Sequence, residues 1–203
     1  MILPIVSYGS DILLRKTEEV DLFEYQQNQQ YQDKIRSIIA DMLDTMKAAP
    51  GQGLAAPQVN YGFSIFVKEK HVSGETVFIN PKVVKFSGVK KLGQEGCLSI
   101  PKLYCDVERY SKVTIEYLVP TEKGLERRQK KFTNEEARAI QHEVGHLNGV
   151  LITAIVKGKL ITVRQGTGFI IEKAEYWLDD FNKGYVEHKY RMLLPDGFIK
   201  EPC

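Results

Sequence analysis

His142-Glu143-Val144-Gly145-His146 limits what this chain can fold into more than any other stretch. Histidines four apart stand one turn above each other on a helix, so both imidazoles can reach one metal ion. Glu143 sits beside the first of them, placed to take a proton from a water on that ion. The chain holds only four histidines, and two of them fall here with a glutamate between. A helix of about 14 residues must therefore carry polar, metal-facing side chains while packing an apolar side into a core. Ala137, Ile140, Val144 and Leu147 supply that side, Thr133-Asn134-Glu135-Glu136 reads as a capping box, and Gly149 suits the far cap.

A catalytic site of this type needs a third protein ligand and one open position. In the extended protease pattern H-E-x-x-H-x-x-G-x-x-H, Gly149 matches the glycine, but Ile152 stands where the third histidine belongs. A glutamate from a later helix is a second route, through Glu172 or Glu175. The third lies upstream in Glu95-Gly96-Cys97-Leu98-Ser99, where Cys97 offers a thiolate among small residues in a loop.

Around these stretches the pattern is mixed. Ile35, Ile38, Ile39, Met42, Leu43 and Met46 recur at helical steps and predict a helix over 33–48, stopped by Pro50-Gly51. Gly51-Gln52-Gly53-Leu54-Ala55-Ala56-Pro57-Gln58 has little side-chain bulk, which frees backbone N–H groups to approach a ligand, and Gln58 ends it with an amide able to donate to an oxyanion. Strands are predicted over 63–67, 76–79, 83–86 and 113–119, with a polar loop over 88–96. Leu125 to Phe132 reads as a charged edge strand. Helix is predicted again over 172–181, and His188 reads as a surface residue.

Charge excludes one class of function. The 28 basic and 26 acidic residues give a net charge of +2, which argues against an extended nucleic-acid footprint. No stretch has the length of a membrane span, and the apolar start Ile2 to Val6 is too short for a signal peptide. Three cysteines without paired spacing fit a reducing compartment, so a cytoplasmic protein is expected.

Three stretches together, Gly51 to Gln58, Glu95 to Ser99 and Gln141 to His146, resemble the three ordered motifs of peptide deformylases in sequence, order and spacing. The opening Ile2-Leu3-Pro4-Ile5-Val6 and Leu14-Arg15-Lys16 resemble that family too. The likeness covers residues 1–157, leaving 158–203 as a C-terminal extension. It implies an α+β fold, with antiparallel sheets around a central helix bearing the two histidines. It implies removal of formate from the N-formyl-methionine of newly made polypeptides, a step of protein biosynthesis that can take place at the ribosome. Cys97, His142 and His146 would be the ligands, usually of Fe(II), with Zn, Ni or Co able to replace it. Glu143 would serve as base and then acid, with Gln58 and the backbone N–H of Leu98 stabilising the oxyanion. Gly53, Leu98 and Ile140 are candidate walls of an apolar substrate pocket.

One position departs from the family pattern. Where the family has H-E-x-D-H, this chain has Gly145. Glycine inside a helix costs about 1 kcal/mol against alanine. The family's acid supports the site by pairing with an arginine, here Arg109, which is then expected to turn to solvent or to another acid. Restoring aspartate at 145 is expected to raise helix stability.

Overall fold

The computed structural model describes residues 1–155 and, beyond them, two short strands at 192–193 and 199–200. The predicted helix over 172–181, His188, Glu172 and Glu175 lie outside the described residues.

The amphipathic helix forms early in the chain. A short helix α1 (Leu22–Gln27) leads through Asn28 into α2 (Gln29–Ala48). The Asn28 side chain accepts from the Tyr31 N–H, so α2 starts four residues before the predicted boundary at 33. Its apolar face, Ile35 to Met46, packs against one side of a five-stranded antiparallel sheet. The strands run in sequence order: β1 (Gly53–Ala55), β2 (Ile65–Lys68), β3 (Val77–Cys97), β4 (Ile100–Thr121) and β5 (Gly124–Thr133). The charged β5 is an edge, as its lysines and arginines predict, and the three-residue β1 is the other.

Strand alternation divides the core in two. Ile65, Val67 and Ile79 face α2, while Phe66 and Phe78 face the opposite side. There the helix α3 (Asn134–Leu147) lays Ala137, Ile140, Val144 and Leu147 on Phe78, Val107, Ile115 and Phe132. Phe66 and Phe78 stack at 4.4 Å between ring centres. This is the expected α+β arrangement, with the histidine helix held against antiparallel strands.

Two local expectations give way. Residues 88–96 are not a loop: β3 continues through them, paired with β4 from Lys90↔Tyr110 to Gly96↔Tyr104. Polar side chains suit this stretch because most of it is exposed on both faces, which removes the apolar alternation by which a strand would be recognised; a register shift at 87–90 sets it off from the strand before it. The Thr133 side chain makes no capping bond. Glu136, its expected partner, accepts instead from the buried Lys68 ammonium at 2.9 Å and the Ser73 hydroxyl at 2.6 Å. The C-terminal end of α3 does follow the sequence. Gly149 has φ +71°, its N–H bonds His146 O, and Val150 N–H bonds Gly145 O, closing a Schellman turn. A four-residue helix α4 (Ile152–Ile155) follows, buried.

Candidate metal centre

The end of β3 and the middle of α3 build one polar cluster. Glu95 and Cys97 are two apart on a strand and so share its inward face, with Gly96 exposed between them. His142 and His146 come from successive turns of α3 and are both buried. Cys97 is a free thiol. Its Sγ lies 3.3 Å from His146 Nε2, which in turn lies 3.2 Å from His142 Nε2. Donor atoms of Cys97, His142 and His146 all fall within 4.8 Å of one another. For a tetrahedral ion with bonds of about 2.0–2.1 Å to nitrogen and 2.3 Å to sulfur, neighbouring ligand atoms are about 3.3–3.6 Å apart. The cluster therefore fits a single metal ion with little rearrangement. Cys97 ends a strand rather than lying in a loop, and β3 supplies the third donor that the helix lacks.

Glu95 fixes which nitrogen of His142 faces the cluster. Its Oε2 lies 3.0 Å from His142 Nδ1. A carboxylate only accepts, so Nδ1 carries a proton and Nε2 is the nitrogen turned to the cluster, free to bind a metal once its own proton leaves. Arg109 holds the same carboxylate through both oxygens, Nε to Oε1 and Nη2 to Oε2, each at 2.9 Å. This pair is almost fully buried, at 4% and 5% exposure. Of the two expectations for Arg109, solvent or another acid, the structure has the acid, and it is Glu95. Arg138 adds a third cationic donor, Nη1 to Oε1 at 2.8 Å. Burial alone would raise the Glu95 carboxyl; the charge and hydrogen bonds of Arg109, helped by His142, hold it well below the usual carboxylate range.

The histidines are pushed apart. Burial depresses both imidazoles, but bonds to Cys97 and Glu95 outweigh it at His142 and lift that residue to about 10. Burial, with the His142 charge next to it, drives His146 down. A metal ion bound by both Nε2 atoms would displace the proton that His142 otherwise holds there. Glu143 is buried beside them, and loss of solvation pushes its carboxyl up to about 7. Its Oε2 has no hydrogen-bond partner among the described residues, nor has His146 Nδ1. A buried oxygen without a donor is costly, and it suits a site built to receive a bound group.

Gly53 makes room for that carboxylate. A Cβ there would lie 2.8 Å from Glu143 Cδ. Gln58 is buried, its oxygen held by the Ala55 N–H at 2.9 Å and its Nε2 turned to Ser99 Oγ at 3.3 Å and Cys97 Sγ at 3.7 Å. A cavity of about 570 Å³ opens over the cluster, with Gly53, Gln58, Leu98, Leu103, Tyr104 and Ala139 in its wall. Gln94, Glu135 and Arg138 line it too, so the recess is more polar than an apolar methionine pocket requires. Ile140 does not belong to it. That side chain is fully buried in the core, because position 140 points to the sheet face of α3. Sequence reading gave no role to Glu95, Arg138 or Gln141. Gln141 grips the Tyr110 backbone with both arms of its amide, Oε1 from N–H at 3.1 Å and Nε2 to O at 2.8 Å, and so locks α3 to β4. The signal for Glu95 was available: two residues before a strand cysteine is the same face.

Paired helical histidines, a strand thiolate and a buried carboxylate belong to the metal-dependent hydrolases. Comparison with known proteins narrows the class. Residues 2–159 match the family model for polypeptide deformylase. A peptide deformylase of Christiangramia forsetii is 33% identical over 97% of this chain and 98% of its own length. Among solved structures, that of Thermotoga maritima peptide deformylase superposes with a TM-score of 0.68 at 29% identity, covering 78% of this chain and 99% of that one. A Met-Ala-Ser-bound class I type b peptide deformylase from Acinetobacter baumannii gives a TM-score of 0.64 at 35% identity, covering 77% and 99%. The chain belongs to the polypeptide deformylase family.

Proposed function

We propose that this chain hydrolyses the amide between the formyl group and the N-terminal methionine of newly made polypeptides, releasing formate. The observation that carries the reading is the convergence of Cys97, His142 and His146 with the Glu143 carboxylate buried beside them. Cys97 Sγ and the two Nε2 atoms would hold one divalent ion. When bound, the ion acts as a Lewis acid that activates water and polarises the formyl oxygen. Glu143 takes the proton from the attacking water and passes it to the leaving amine. Gln58 Nε2 and the Leu98 N–H donate to the oxygen as negative charge develops on it. Glu95 keeps His142 in the tautomer that binds. β1 is an edge strand, and the extended substrate lies along it near Gly53, with its first side chain toward the cavity.

Iron(II) is the native metal in this reading. Zinc, nickel and cobalt suit the same mixed nitrogen and sulfur donors. The work is done in the cytoplasm, on chains emerging from the ribosome. No helix among the described residues is long and apolar enough to cross a membrane. Residues 1–157 form the hydrolase domain and 158–203 an extension to it; the Christiangramia forsetii relative, matched over 97% of the chain, shares part of that extension.

The test is formate release from a formyl-methionyl peptide by the metal-loaded protein. Glu143→Gln should keep its metal and lower turnover by at least about 100-fold. Metal bound without formate release by the unmodified protein would instead favour a divergent member with altered activity.

A further inference from the structure

We propose that Arg138 is a positioning residue for the metal site, acting through Glu95. It lies on α3, one turn before His142, and its guanidinium crosses to the β3–β4 ladder. There Nη1 donates to Glu95 Oε1 at 2.8 Å and to Val107 O at 2.9 Å, with Gly93 O at 3.4 Å. Nη2 donates to Lys91 O at 2.9 Å. Gly93 and Val107 face each other across the ladder, so one side chain ties both strands to the helix.

This strap spans the joint on which the site depends. The cysteine donor rides on β3 and the two histidine donors ride on α3. Between them stands Glu95, with His142 on one oxygen, Arg138 on the other, and Arg109 across both. Arg109 comes from β4 and reaches Glu95 from its own sheet. Among the arginines on Glu95, only Arg138 comes from the histidine helix. Such a fork fixes orientation as well as charge, because guanidinium donors are planar and rigid.

An independent feature of β3 matches it. A Cβ on Gly93 would lie 2.7 Å from Arg138 Nη2. Gly93 has ordinary negative φ, so alanine there strains no backbone and acts by displacing the guanidinium. The strap and its seat can thus be perturbed separately.

The experiment compares the full chain with Arg138→Met, Gly93→Ala and the double variant, all assayed below their unfolding transitions. Kinetics of formate release from a formyl-methionyl peptide rest on the reading above; cobalt(II) retention on dialysis and the visible spectrum of the cobalt protein do not. Arg138→Met should lower kcat about tenfold with KM within about twofold, shift the cobalt spectrum and speed cobalt loss. Gly93→Ala should act in the same direction and add nothing to Arg138→Met. A raised KM with unchanged kcat would make Arg138 a substrate contact and overturn the proposal. So would an unchanged cobalt spectrum and retention, or a Gly93→Ala effect undiminished in the double variant. If no protein releases formate, the deformylase reading fails, while the cobalt measurements still decide the role of Arg138.

Discussion

Gly145→Ala should destabilise this protein, against the usual rule for helices. In an open helix interior alanine gains about 1 kcal/mol over glycine. Here the Schellman turn brings the chain back over α3, and a Cβ at 145 would lie 2.9 Å from Val150 O. That is roughly 0.5 Å inside ordinary contact, and the neighbour is backbone, which cannot swing aside as a side chain can. The turn is pinned by bonds of 2.8 and 3.1 Å and runs directly into the buried α4. Overpacking of this kind costs about 1–3 kcal/mol. Set against the propensity gain, the net loss is about 1 kcal/mol, a fall of roughly 2–4 °C in Tm for a chain of this size. Gly145→Asp should lose about 1–3 kcal/mol more, since its carboxylate would meet a carbonyl oxygen and Arg109 is already held by both oxygens of Glu95. Restoring the acid is thus expected to weaken the fold, contrary to what the motif alone suggests. Urea unfolding at saturating metal, with equal m-values, measures the difference. A Gly145→Ala protein more stable by about 1 kcal/mol, or a Gly145→Asp protein with faster formate release, would refute the reasoning.

Other outcomes follow from the same geometry. Cys97→Ser should lose most of its metal on dialysis, because a neutral hydroxyl replaces a thiolate; full occupancy by metal analysis would move the third ligand elsewhere. Gly53→Ala should keep fold and metal but cut turnover at least about tenfold, since its Cβ takes the space of the Glu143 carboxylate; unchanged kcat would show that this carboxylate is free to move without loss. Glu136→Gln should cost about 1–3 kcal/mol at pH 7, as the buried Lys68 ammonium loses its counter-charge. Burial opposes ionisation of Glu136, but the Ser73 hydroxyl and Lys68 overcome it and lower its pKa. Its contribution is therefore complete above the unfolded value of about 4.3 and fades as pH falls through the folded one, so the gap between variant and unmodified protein should close in acid. A gap constant from pH 7 to pH 2.5 would exclude an ionic origin.

What the sequence could and could not disclose has a physical basis. The histidine pair was legible because ligand spacing and helical spacing coincide, and the edge strand β5 because edge charge has a function. The stretch 88–96 was not, since most of its residues face solvent and leave no apolar alternation to read. The glycines show the limit most clearly. Gly53, Gly93 and Gly145 each stand where another group comes too close for a side chain: the Glu143 carboxylate, the Arg138 guanidinium and the Val150 carbonyl. A glycine in a sequence records that something is near, never what. Gly53 reads as room for substrate and serves as room for Glu143; Gly145 reads as a missing acid and serves as room for a turn. The two meanings separate only when the partner is known, and the partners here are 90, 45 and 5 residues away along the chain. Arg109 supplies the counter-case. Its need for an acid was legible from the cost of burying an unpaired charge. Which acid would meet it depended on the ladder that sets Glu95 opposite Cys105 and Lys91 opposite Arg109. Pairwise electrostatics predicts that a buried charge is answered; strand register decides by whom, and so decides that Arg109 supports His142 through Glu95.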